Sequence, residues 1–185
     1  MSTGFAPGAI AAFVRRTLGR LGVPHRLDRY GNIVARLRRG RAIPAPLALV
    51  AHMDHPGFWI EKKSSGRPAV ARVLGGVGRL RAGQRILFFT DPPTIARVAG
   101  IAKKNRYGTP THVRIRPSRP LPAGAFGLWD VPEFRRAGHK IYARAIDDVC
   151  GVGVMLEVLR RLRRRRGGTF DVYCCFTRAE EVGFV

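Results

Sequence analysis

Residues 47–58 read LALVAHMDHPGF. The unbroken apolar run Leu47-Ala48-Leu49-Val50-Ala51 has the length and composition of a short buried strand, and it ends on His52-Met53-Asp54. Side chains alternate along a strand, so His52 and Asp54 fall on the same side. An imidazole that ligates a metal commonly gives its other N–H to a carboxylate, which fixes its tautomer and raises its basicity. His-x-Asp at a strand end therefore supplies a ligand and its orienter together. The tripeptide alone is more often an ordinary polar surface, and its meaning rests on what the rest of the chain brings to it.

Two further stretches repeat the design. In ARAIDDVCG, residues 143–151, the pair Asp147-Asp148 precedes an amphipathic helical pattern; in CCFTRAEEVG, residues 174–183, the pair Glu180-Glu181 follows a second apolar run, Phe170 to Phe176. Each of the three segments delivers imidazole or carboxylate to an element end, where an open α/β sheet keeps its ligand site. AHMDHPGF, ARAIDDVCGVGVMLE and FTRAEEVGF resemble, in this order, the motifs of the glutamyl and deblocking aminopeptidases, the tetrahedral-particle branch of the di-zinc metallopeptidases. Members of that family are sometimes labelled cellulases or endoglucanases. The resemblance runs from about Phe13 to the last residue.

What the resemblance implies is a mixed-sheet α/β/α di-zinc peptidase-like scaffold, incomplete at the C-terminus, with an inserted small β-barrel-like domain. It implies two divalent ions, zinc with cobalt or manganese as alternatives, held by His52, Asp147 as the bridging carboxylate, and Glu181. Asp54 would orient His52, Asp148 would fix the bridge through a cis peptide bond, and Glu180 would be the general base. His55 departs from the glutamate common there in the family and is left outside the ligand set. The resemblance also implies a further aspartate some twenty residues beyond the glutamate pair and a final histidine much further on, and the sequence ends before either. Each ion is left with two protein ligands, against the three of a catalytic zinc. The expectation is thus an N-terminal portion of the fold, from an incomplete record or a truncated gene, binding zinc weakly and hydrolysing aminoacyl substrates poorly unless extended.

The net charge is +22, from 34 Lys and Arg against 12 Asp and Glu, and 45% of the residues are hydrophobic. That composition is globular. The charge favours non-specific attraction to polyanions, but it is spread along the chain apart from Arg160 to Arg166, which reads as the solvated, dipole-compatible end of a helix. With no RNA-binding signature or zinc-finger spacing, specific nucleic-acid binding is not expected. Adjacent Cys174 and Cys175 face opposite sides of a strand and, with Cys150, read as thiols of a reducing compartment. No stretch reaches membrane-spanning length, and the N-terminus places its arginines after its apolar run, the reverse of a secretory signal. A cytoplasmic protein follows.

In chain order, Ile10, Phe13, Val14, Leu18 and Leu21 recur at helical spacing from Pro7 or Gly8 to about Gly22. A turn at Leu27 to Asn32 leads into a strand from Ile33 to Leu37, and Phe58 to Glu61 is a further short strand. Residues 1–62 form the first part of the scaffold. Residues 63–138 are the inserted β domain, with strands at Ala69 to Leu74, Arg85 to Phe89, Thr94 to Ala102 and Thr111 to Arg116 separated by Gly and Pro turns. Residues 139–185 return to the scaffold with a strand at Lys140 to Ala145, a helix from Val149 to Arg163 and the last strand. The leading functional expectation is a metallo-aminopeptidase acting on peptides and homo-oligomeric in its full-length form. The alternatives are a non-catalytic remnant of the same fold and, behind it, a basic nucleic-acid-binding module.

Overall fold

A computed structural model describes residues 8–41, 44–64 and 68–183. The chain divides into two compact units, one of residues 1–55 with 145–185, the other of residues 56–144. Of the expected N-terminal helix, Pro7 lies outside the described residues.

The first unit is an α/β layer. Helix α1 (Ala9–Arg20) buries Val14 and Leu18. It closes in a Schellman arrangement, with the Val23 amide donating to the Leu18 carbonyl at 3.0 Å, the Gly22 amide to Gly19 at 3.0 Å, and Gly22 at φ +61. Strands β1 (His25–Leu27), β2 (Ile33–Arg39), β3 (Leu47–His52) and β12 (Phe170–Thr177) form a four-stranded sheet in the order β1-β2-β12-β3. β12 runs antiparallel to β2 and parallel to β3. The Asp28 carboxylate ties the turn before β2, accepting the amides of Tyr30 and Asn32, each at 2.9 Å.

Alternation puts Ile33, Ala35, Leu37, Ala51, Val172, Cys174 and Phe176 on one sheet face, where they share a core with α1 and with helix α2 (Ile146–Arg164). From α2 the core takes Val152, Met155, Leu156 and Leu159, each worth about 1.5–3 kcal/mol of burial, with Leu162 partly buried against them on the same side of the helix. Asp147 and Asp148 are non-helical within this span, so regular helix starts at Val149, with the Asp148 carboxylate capping the Gly151 amide at 3.0 Å. On the other sheet face Arg36 forms a bidentate pair with the buried Asp171 at 2.9 and 2.6 Å and lies over the Tyr173 ring. The Arg36 guanidinium, against the opposing effect of burial, holds the Asp171 carboxyl below its usual range. At the far end of α2, Glu157 pairs with Arg160 and Arg161, giving the arginine run a structural use.

The second unit is a closed six-stranded barrel in the order β4-β5-β8-β7-β6-β9, built from β4 (Gly57–Trp59), β5 (Ala69–Leu74), β6 (Arg85–Phe88), β7 (Thr94–Lys104), β8 (Pro110–Pro117) and β9 (Phe126–Trp129). Phe58, Ala71, Ile86, Phe88, Val113 and Ile115 fill its interior. The boundaries differ from those the sequence predicts. The strand after the His-Met-Asp motif, assigned to the scaffold, is β4 and pairs with β5 and β9. The strand expected at Lys140 to Ala145 is β11 (Lys140–Ala143), which pairs with β10 (Phe134–Ala137) in a hairpin of the second unit. The change of unit falls after His55 and after Arg144, outside the expected positions 62 and 138. Among the described residues no helix is long and apolar enough to cross a membrane.

Candidate metal centre

Parallel pairing of β3 with β12 sets Thr177 opposite His52, and the Met53 amide donates to the Thr177 carbonyl at 2.8 Å. Both chains therefore leave the sheet at the same end, carrying His52 and Asp54 on one and Glu180 and Glu181 on the other. Ala179 turns the second chain in the left-handed region at φ +72, an uncommon conformation for a residue with a side chain.

His52 Nε2 lies 3.3 Å from Asp147 Oδ1 and 3.9 Å from Glu180 Oε2. Ligand atoms of His52, Glu180 and Glu181 lie within 4.8 Å of one another. Asp147 joins this group through His52, with its side chain 85% exposed. The bond between Asp147 and Asp148 is cis, and Asp148 Oδ2 accepts the His52 amide at 3.3 Å. Asp148 thus ties the helix start to the strand end that bears the histidine.

Asp54 sits differently from the sequence reading. His52 Nδ1 makes its short contact with the Asp54 backbone carbonyl at 3.2 Å, while the Asp54 carboxylate oxygen is 3.7 Å away. That carboxylate, fully buried, instead accepts the amides of Glu180 at 3.2 Å and Glu181 at 3.0 Å. Nothing in the local pattern shows this clamp, because its partners are more than a hundred residues apart in sequence.

Burial works against charge on His52, but the Asp54 carbonyl and the carboxylates of Asp54, Glu180 and Asp148 outweigh it and hold its pKa above the ordinary value. A site that attracts a proton to this imidazole attracts a metal cation for the same electrostatic reason. The donor set fits a borderline metal: one imidazole with its far nitrogen on a carbonyl, surrounded by carboxylates. A tetrahedral zinc with bonds of about 2.0–2.1 Å spaces its ligand atoms by about 3.3–3.5 Å. The contact of His52 with Asp147 meets that spacing at 3.3 Å, and Glu180 stands just outside it at 3.9 Å.

The model of the M42 glutamyl aminopeptidase family matches residues 121–185. No curated protein matches the chain in sequence. Solved structures share the fold. An aminopeptidase from the archaeon Desulfurococcus kamchatkensis is 24% identical with a TM-score of 0.69, over 94% of this chain and 51% of its own. The TET1 peptidase of Pyrococcus horikoshii is 21% identical at 0.69, over 97% and 60%. A structure from Thermotoga maritima described as an endoglucanase is 21% identical at 0.67, over 95% and 55%. The chain spans between 51% and 60% of the length of these relatives. The family read from the three motifs and the family whose model matches are the same.

Proposed function

We propose that the chain carries the histidine, aspartate and glutamate pair of a two-zinc aminopeptidase site, and that the whole protein removes N-terminal residues from peptides. The observation that carries this reading is the convergence of His52, Glu180 and Glu181 within 4.8 Å, with Asp147 against His52. His52 and Asp147 would hold one ion, Asp147 and Glu181 the other. Bound zinc supplies Lewis-acid activation of water and of the scissile carbonyl. Glu180, 46% exposed and 3.9 Å from His52 Nε2, would take the proton of the attacking water and return it to the departing amine. Asp54 holds the backbone of the glutamate pair, and Asp148 holds the backbone of His52.

An endoglucanase reading is less well supported. Glycoside hydrolysis uses two carboxylates flanking the sugar with open space between them, whereas here the glutamates crowd an imidazole. The Pyrococcus horikoshii peptidase is described as assembling into a tetrahedron or an octahedral shell; we extend self-assembly to the whole protein here, to be measured by light scattering. Three cysteines without a disulfide support a cytoplasmic setting.

The test is zinc titration by calorimetry together with hydrolysis of aminoacyl p-nitroanilides. With two of these ligands per ion, zinc binding by the 185 residues is expected to be weak but dependent on His52. His52→Ala abolishes it. Glu180→Gln retains zinc and lowers turnover by about 10²–10⁴-fold. Zinc binding indifferent to His52→Ala sinks the site, and loss of zinc in Glu180→Gln shows that Glu180 and Glu181 exchange roles.

A further inference from the structure

The outer face of the barrel carries arginines in direct cross-strand register. Arg85 of β6 stands opposite Arg97 of β7, and Arg97 stands opposite Arg116 of β8. Arg114, two positions from Arg116 on the same face, lies opposite Gly100. Gly100 leaves that face open: a Cβ there would sit 3.8 Å from Arg114 Nη2. The alternating residues Ala96, Val98, Val113 and Ile115 are buried, which turns the arginines outward.

Like charges directly opposite one another destabilise a sheet, so this row works against the fold that bears it. Asp130 pairs with Arg85 at 2.7 Å, but among the described residues no carboxylate pairs with Arg97, Arg114 or Arg116. Local acids are scarce: residues 56–144 hold Glu61, Asp91, Asp130 and Glu133 against eighteen lysines and arginines. The basic track continues along the β7–β8 ribbon through Lys103 and Lys104 to Arg106, and Tyr107 at its turn is 74% exposed.

We propose that this face binds the phosphate backbone of single-stranded nucleic acid without sequence preference, with Tyr107 as a stacking platform. Guanidinium forks match phosphate oxygens bidentately, and an exposed ring beside a basic track is the arrangement that single strands use. An anionic membrane is the poorer fit, because β6, β7 and β8 expose no large apolar side chain beside the ladder, and the neighbouring β5 adds only Val70, opposite Arg114.

The experiment uses the 185-residue protein and fluorescein-labelled twenty-nucleotide oligo-dT and oligo-U, followed by anisotropy between 50 and 300 mM salt, roughly the range over which phosphate contacts are read. The triple variant Arg97→Thr, Arg114→Thr, Arg116→Thr is expected to bind about tenfold or more weakly. Its slope of log affinity against log salt should fall by about two units, at about 0.7 per phosphate contact. Its melting temperature should equal or exceed that of the wild type, since repulsion is relieved. A lysine triple at the same positions, which keeps the charge, should retain the slope. The control triple Arg16→Thr, Arg20→Thr, Arg164→Thr removes equal charge from helix surfaces and should change binding little. Equal losses in ladder and control variants overturn the proposal, leaving composition alone as the cause. It is also overturned if polyglutamate of matched charge displaces the oligonucleotide as well as unlabelled oligo-dT does, or if anionic vesicles do.

Discussion

The buried carboxylate of Asp54 accepts the Glu181 amide at 3.0 Å, and its second oxygen accepts the neighbouring Glu180 amide at 3.2 Å. The residue two places after the histidine therefore fixes the backbone of the glutamate pair. Asp54→Asn keeps the shape but turns one acceptor into a donor facing an N–H. That leaves a buried amide unpaired, at a cost of about 1–3 kcal/mol. The expected outcome is a lower urea midpoint and a zinc affinity reduced by about 10–100-fold, as for groups that orient ligands. Chelator competition and urea unfolding measure the two effects. Unchanged zinc affinity would show that the glutamates do not depend on this clamp.

Much of the first unit was legible because its information is local. The apolar run ending at His52 and the run ending at Thr177 are neighbours, as the clustering of polar groups at their ends requires. Among the described residues, however, the first is an edge strand with Leu47 and Val50 exposed, and not the buried strand its composition predicts. The stripe Val152, Met155, Leu156 and Leu159 has a helical period, and Asp148 marks the start of that helix. The barrel itself was expected from the resemblance, but the strand that closes it, β9, was not legible. β9 is four residues long with a glycine in its middle, and its partners β4 and β6 lie far off in sequence. Gly57, in the PGF of the opening motif, has its reason only in space: a Cβ there would come within 2.7 Å of the Gly127 carbonyl oxygen on β9. Of the hairpin, β11 was expected as a strand but assigned to the scaffold, and β10 escaped because all four of its residues are exposed, so no alternation marks it.

Asp171 gives the first unit a defined response to acid. Its carboxyl is held below the usual range by the Arg36 hydrogen bonds, over the opposing effect of burial and with help from the charges of Arg36 and Arg38. A depressed carboxylate contributes stability that is present above its unfolded value, about 3.9, and is lost as pH falls through the folded value. Arg36→Gln removes the main cause. The stability difference between wild type and this variant is expected to be full above about pH 4 and to shrink steadily below it. Urea midpoints at a series of pH values check this; a difference constant down to pH 2, roughly two units below the unfolded carboxylate, would contradict it.

The three thiols should separate by environment. Burial, with a smaller contribution from Cys175, pushes the Cys174 thiol up to about 11. Its thiolate is therefore scarce at neutral pH, and its side chain is fully covered. Cys150 is exposed. Iodoacetamide at pH 7.5, followed by peptide mass mapping, should label Cys150 first and Cys174 only on unfolding. Early labelling of Cys174 would mean that β12 opens far more readily than a central strand should.

Two glycines of α2 provide a paired test of the helix start. Gly-to-Ala inside a helix ordinarily stabilises by about 0.5–1 kcal/mol, through the entropy of the unfolded chain. At Gly153 nothing lies within 4 Å of the added Cβ, so Gly153→Ala should show that gain. At Gly151 the added Cβ would collide with Asp148 Oδ1, the atom that accepts the Gly151 amide. The carboxylate has to move, and in moving it gives up the helix cap and the His52 amide held by its other oxygen. Losing a cap costs about 0.5–2 kcal/mol, enough to cancel or reverse the gain. Gly151→Ala is therefore expected to be neutral or destabilising and, unlike Gly153→Ala, to weaken zinc binding, because Asp148 links Asp147 to the strand carrying His52. Urea unfolding and zinc titration of both variants decide it. Equal gains in stability with unchanged zinc affinity would show that Asp148 has no part in holding the site.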